Sequence, residues 1–235
     1  MKTKTLLKKI LKGGEVEMKK ILIVVMVVMA VVVMTGRDSF AALTQTINVT
    51  ATVNLVTASM AATVHQVNSQ GTCSYVDDKW NTTPQPGITF GTLDLDPVYN
   101  IFLPRDNSYY AVDVAVVDNS GSNWTVTQTR TDFKLAGGTA TLNDNVNVVF
   151  QKVVKGASGL PQDDIATDIV KYSYTDSNNK AITKAQVSGG WLRILYGIGT
   201  GNTTAGCTDA TGVTPITLDK PAGAYSGTVT LTLTP

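Results

Sequence analysis

Residues Leu43–Val56 read L-T-Q-T-I-N-V-T-A-T-V-N-L-V. Apolar side chains fall at every second position, Ile47, Val49, Ala51, Val53 and Leu55, with Thr46, Asn48, Thr50, Thr52 and Asn54 between them. A period of two is the signature of a strand with one apolar and one polar face. The chain closes on a matching pattern, in which Val229, Leu231 and Leu233 alternate with Thr228, Thr230, Thr232 and Thr234. A two-faced strand near a chain end either completes its own sheet or pairs with a neighbour's.

Upstream, Met18-Lys19-Lys20 is followed by the apolar run Ile21–Met34 and by S-F-A-A at Ser39–Ala42. A basic start, an apolar helical core and a small-residue cleavage site predict a secretory signal peptide over 18–41, cut after Ala41. The apolar run falls short of the roughly 20 residues a membrane span needs. Residues 1–17 read as an upstream extension ahead of the true start at Met18. A type IV prepilin leader is the rival, but Lys19 and Lys20 interrupt the place where its apolar helix would begin.

Removing residues 1–41 takes eight of the 19 Lys and Arg and three of the 18 acidic residues, leaving 11 basic and 15 acidic, all Asp. Lack of Glu beside many Asp disfavours helices and favours turns. A mildly acidic chain carries no electrostatic footprint for nucleic acid. Short alternating segments separated by turn residues predict an all-β, antiparallel sandwich: a donor-type strand over 42–56 and a single domain over 57–235. Among these segments are Ile88–Gly91, Tyr109–Val117, Trp124–Thr127 and the nearly continuous Trp191–Ile198, with Lys155–Asp168 as a connection and a hairpin turn at Asp176–Lys180.

The only cysteines, Cys73 and Cys207, predict a disulfide in an exported chain. Enzyme signals are thin. Ser177-Asn178-Asn179-Lys180 fits S-x-x-K but lies in a turn, not at a helix start. Gly197, Gly199 and Gly201 lack dinucleotide-loop spacing. His65 is the single histidine, so neither a Cys–His pair nor a transition-metal cluster is expected. Asp77, Asp78, Asp94, Asp96, Asp163 and Asp164 offer oxygen ligands without EF-hand spacing and read as turn carboxylates. N-x-[ST] triplets at Asn48, Asn81, Asn123 and Asn202 arise readily in a Thr-rich chain and leave glycosylation open. Trp124 and Trp191 read as core. Trp80, in a polar loop, is the candidate ligand contact. No catalytic residue, metal or cofactor is expected.

Three stretches carry a resemblance: I-T-F-G-T-L-D-L-D-P (Ile88–Pro97), W-L-R-I-L-Y (Trp191–Tyr196) and L-D-K-P-A-G-A-Y-S-G-T-V-T-L-T-L-T (Leu218–Thr234). They resemble the spore coat protein U and fimbrial-adhesin-like family of secreted β-sandwich proteins. Departures are Gly227, where an aspartate is usual, and the lack of clear early cysteine-bearing strands. The resemblance implies immunoglobulin-like subunits that polymerise into surface fibres, with a periplasmic chaperone and an outer-membrane usher in many members. In that scheme the N-terminal extension of one subunit fills a gap in the next. Ile47, Val49, Ala51, Val53 and Leu55 are then the donor residues, and Val229, Leu231 and Leu233 their neighbours. The resulting expectation is a non-enzymatic, extracellular filament or coat subunit whose main partner is another copy of itself. The alternatives are an adhesin or carbohydrate-binding module that meets glycans through Trp80, and a coat protein that keeps its first strand in cis.

Overall fold

The computed structural model describes residues 43–46, 58–70, 77–118, 121, 123–202 and 208–235. The upstream extension, the signal peptide, the five donor residues, Asn48, Cys73 and Cys207 lie outside the described residues. Residues Ala42–Pro235 form one compact unit.

The strands are β1 (Leu43–Thr46), β2 (Ala58–Asn68), β3 (Lys79–Trp80), β4 (Leu93–Asp96), β5 (Ile101–Pro104), β6 (Ser108–Asp118) and β7 (Thr125–Arg130). They continue with β8 (Lys134–Leu135), β9 (Val146–Val154), β10 (Ile165–Ser173), β11 (Lys180–Thr183), β12 (Trp191–Ile198), β13 (Tyr225–Ser226) and β14 (Val229–Thr234). Helix among the described residues is limited to the 3-10 turns Asn143–Asn145, Pro161–Asp163 and Lys184–Val187. One sheet has the order β1-β14-β7-β11 and the other β10-β9-β12-β6-β2-β3, with two small ribbons, β13-β8 and β4-β5. All pairings are antiparallel, and the sheets curl as a half-barrel.

Both sheets feed one apolar core. Val126, Ile182, Leu231 and Leu233 come from the four-stranded sheet; Val112, Val114, Phe150, Ile194 and Tyr196 come from the six-stranded one. β12 lies between β9 and β6, and each of its faces packs against an apolar cluster, with Arg193 the one charge among them. Its even-numbered residues enter the main core, while Leu195 joins Val67, Ala111 and Val149 in a smaller cluster. In β14 the alternation resolves as expected, with Val229, Leu231 and Leu233 buried.

Several expectations are corrected. Ile88–Gly91 forms no strand: Gly91 turns the backbone to φ 66°, and Phe90 packs edge-on against Tyr110 at 5.7 Å. The Lys155–Asp168 connection ends earlier, because β10 begins at Ile165 and pairs with β9. The turn at Asp176–Lys180 is not a hairpin. It carries the chain from β10 in the larger sheet to β11 in the smaller, with Asn179 at φ 57°. Trp80 belongs to the two-residue strand β3 rather than to a loop.

Candidate functional site

The last strand, β14, is flanked by β7 on one side and by β1 on the other. On the β7 side pairing is continuous, because Thr131 N donates to Thr228 O and β8 then takes over opposite β13. On the other side β1 covers only Thr230–Leu233: Leu43 stands opposite Leu233, Thr44 opposite Thr232, Gln45 opposite Leu231 and Thr46 opposite Thr230. Beyond Thr46, no described strand occupies that lane beside Tyr225–Val229.

An apolar groove of about 760 Å³ is lined in part by this stretch. One wall is Pro221–Val229 and the other Ile88–Leu93. Phe90, Phe133, Tyr174, Tyr196, Ile216 and Tyr225 give it an aromatic and aliphatic lining. Polar tips are tied back: the Tyr196 hydroxyl donates to Gln128 Oε1 at 2.6 Å, the Tyr225 hydroxyl to Pro221 O at 2.7 Å, and Lys220 Nζ to Thr141 O at 3.1 Å. The Tyr174 hydroxyl lies 3.0 Å from Thr131 O. Gly227 lets the wall approach closely, since a Cβ there would come within 3.0 Å of Asp132 O and 3.1 Å of Phe133 Cα. Such a lining suits an extended apolar segment, with pockets for alternate side chains and a main-chain edge alongside.

Burial pushes the Tyr174 hydroxyl up to about 12, partly opposed by the neighbouring Arg130, whose guanidinium lies 5.0 Å from the ring centre. Burial drives Tyr196 upward as well. A raised folded-state value means that the unfolded chain ionises first. This stabilisation is therefore complete below pH ~10 and is lost as pH rises through about 12. Urea unfolding across this range should show the midpoint falling above pH ~10, and Tyr174→Phe should make that fall shallower. An unchanged slope in the variant would assign the alkaline loss to other groups.

The remaining sequence candidates are dispersed. One face of Trp80 is covered by the Arg193 guanidinium at 4.4 Å, its indole nitrogen is buried without a hydrogen-bond partner, and His65 lies 6.1 Å away. Arg193 is also held by Asp113 and Asp164. Trp124 is buried and Trp191 half-buried. Asp78 accepts from Tyr109 and Gln70, Asp94 pairs with Arg105, Asp96 accepts from Val98 N, and Asp163 bonds Ser158. Each of these carboxylates is thus spent on local structure, and the described residues hold no group of three metal-ligating side chains. Ser177 is fully buried and donates to Tyr174 O, while Lys180 covers the Tyr172 ring. Gly197 is the penultimate residue of β12, and Gly201 has φ 71°. Asn81 and Asn123 are exposed.

The far wall of the groove was not legible in sequence, because Ile88–Gly91 reads as a short strand. The Pro-Ala-Gly-Ala-Tyr run at 221–225 was the available signal, as small residues beside an aromatic leave room for a visitor. Comparison with protein-family models, with curated proteins and with solved structures gives no match.

Proposed function

We propose that this chain is a structural subunit of an extracellular filament or coat, an immunoglobulin-like sandwich of the spore coat U and fimbrial type that assembles by strand complementation. Secretion, through the leader at 18–41, is part of the same reading. Chaperone and usher partners follow only from the family resemblance.

One observation supports the reading: an apolar groove lined by Pro221–Val229 adjoins β14, whose described partner on the β1 side covers only Thr230–Leu233. Ala58, which opens β2, stands opposite Asp118, and Lys184 Nζ meets Asp118 at 2.9 Å. The Lys184 amide donates to Trp124 O, and the next residue, Thr125, stands opposite Thr234. The start of β2 and the end of β14 therefore share one end of the molecule. β1 starts at that end and runs away from it.

Deleting Leu43–Val56 from the full chain should leave monomers that form no fibres in negative-stain microscopy, while far-UV circular dichroism still reports sheet. Fibres of ordinary length from that deletion would remove the donor role.

A further inference from the structure

The groove bordered by Pro221–Val229 has the make-up of a small-molecule site, independently of how copies of the chain assemble. Its floor consists of the core side chains Leu142, Val146, Tyr196, Ile198 and Ile216, each of them buried. A volume of about 760 Å³ lies within the range that encloses small organic ligands. The lining tyrosines already have acceptors for their hydroxyls: Gln128 Oε1 for Tyr196, Pro221 O for Tyr225 and Thr131 O for Tyr174. What they present to a ligand is chiefly ring.

One lining residue breaks this pattern. Lys220 is the single charged side chain bordering the groove, and it is half-buried. Its Nζ donates to Thr141 O at 3.1 Å, which uses one of the three ammonium donors. The acidic neighbour, Asp219, has its carboxylate hydrogen-bonded by the Thr217 hydroxyl. A cation drawn part-way out of water beside an apolar space gains from an anion there, because the lower dielectric strengthens their attraction. One ammonium with two remaining donors matches one carboxylate with its two acceptor oxygens. Both walls are continuous stretches of chain, Pro221–Val229 and Ile88–Leu93, and a space bounded in that way suits an elongated tail better than a compact ring system.

We infer that the groove binds a single-chain aliphatic carboxylate, with its tail over the apolar floor and its head on Lys220 Nζ. The inference goes beyond filament assembly and does not depend on it. Charge complementarity selects the head, and the lining grades affinity by tail length, with each buried methylene tightening binding about fourfold.

Isothermal titration calorimetry of the full chain with octanoate, decanoate and dodecanoate, each below its micelle-forming concentration, tests this. Binding should be saturable at one ligand per chain, tighten about fourfold per methylene, and show a negative heat-capacity change. Decan-1-ol, which has the same tail and no charge, should bind about tenfold more weakly than decanoate, the order expected for a charged hydrogen bond. Lys220→Gln should bring decanoate down to the level of the alcohol. Ala224→Trp, at an exposed position bordering the groove, should weaken decanoate about tenfold by filling the space, with far-UV circular dichroism confirming that both variants fold. No saturable binding by the unaltered chain would overturn the site. So would an affinity that ignores tail length, or one that both variants leave unchanged. Fibres in microscopy judge the assembly reading alone, so the two can fail separately.

Discussion

Arg193→Ala should cost about 3–5 kcal/mol of folding stability, the range seen when one partner of a buried ion pair is removed. Arg193 lies in β12, the strand between β9 and β6, and its side chain is 3% exposed. Its Nε meets Asp113 Oδ1 at 2.6 Å, and its Nη2 reaches Asp113 Oδ2 at 3.0 Å and Asp164 Oδ2 at 3.2 Å. Asp164, 7% exposed, also accepts from Gly156 N and so anchors the connection into β10. Truncation leaves two carboxylates facing each other without a cation and uncovers the Trp80 ring. Arg193→Lys should fall between, since an ammonium keeps the charge but loses the planar fork and the stacking. Urea unfolding followed by tryptophan fluorescence measures both. A loss under 1 kcal/mol for Arg193→Ala would mean that solvent enters the cluster and compensates the carboxylates.

Reduction of the two cysteines should be at least as damaging. Cys73 and Cys207 are 134 residues apart in sequence, a loop length for which chain entropy suggests a bond stabilises by about 4–5 kcal/mol. Their described flanks leave from neighbouring parts of one sheet end. Asn68 at the end of β2 pairs with Ser108, and Gly197 near the end of β12 lies 3.5 Å, at a built Cβ, from Tyr109. Asp209 accepts from Thr200 N and Gly201 N and from Asn147, which fixes the loop just after Cys207. Thermal melts of the full chain with and without reductant, alongside Cys73→Ala/Cys207→Ala, should show the same large drop in midpoint for reduction and for substitution. Identical melts in all three samples would assign both residues to the free thiol state.

These two expectations differ in where their warrant comes from. The expectation of a cysteine pairing rests on the expected leader and the residue count, both read from the primary chain. The Arg193 cluster needs the fold. Asp113, Asp164 and Trp80 are 80, 29 and 113 positions away in sequence, and nothing in W-L-R-I-L-Y says that its arginine is buried. A lone charge inside an apolar strand is a hint of a buried partner, but it does not name one.

The amino-acid sequence by itself determined the class of fold. Period-two alternation, absence of Glu after residue 41 and closely spaced turn residues leave antiparallel sheet as the arrangement able to bury this pattern. It also determined that Val229, Leu231 and Leu233 face a core, because alternation is a local property of an extended backbone. Tertiary structure alone decided three things. It sent Ile88–Thr92 along a groove wall instead of into a sheet, because Gly91 leaves the extended region and Phe90 finds Tyr110. It joined β10 to β11 across the two sheets, since the pairing partners of each are remote in sequence. It set Leu43–Thr46 opposite Leu233–Thr230 and left the lane beside Tyr225 without a described strand. The alternating pattern is satisfied by any even shift of register, so alternation alone does not choose among the shifts.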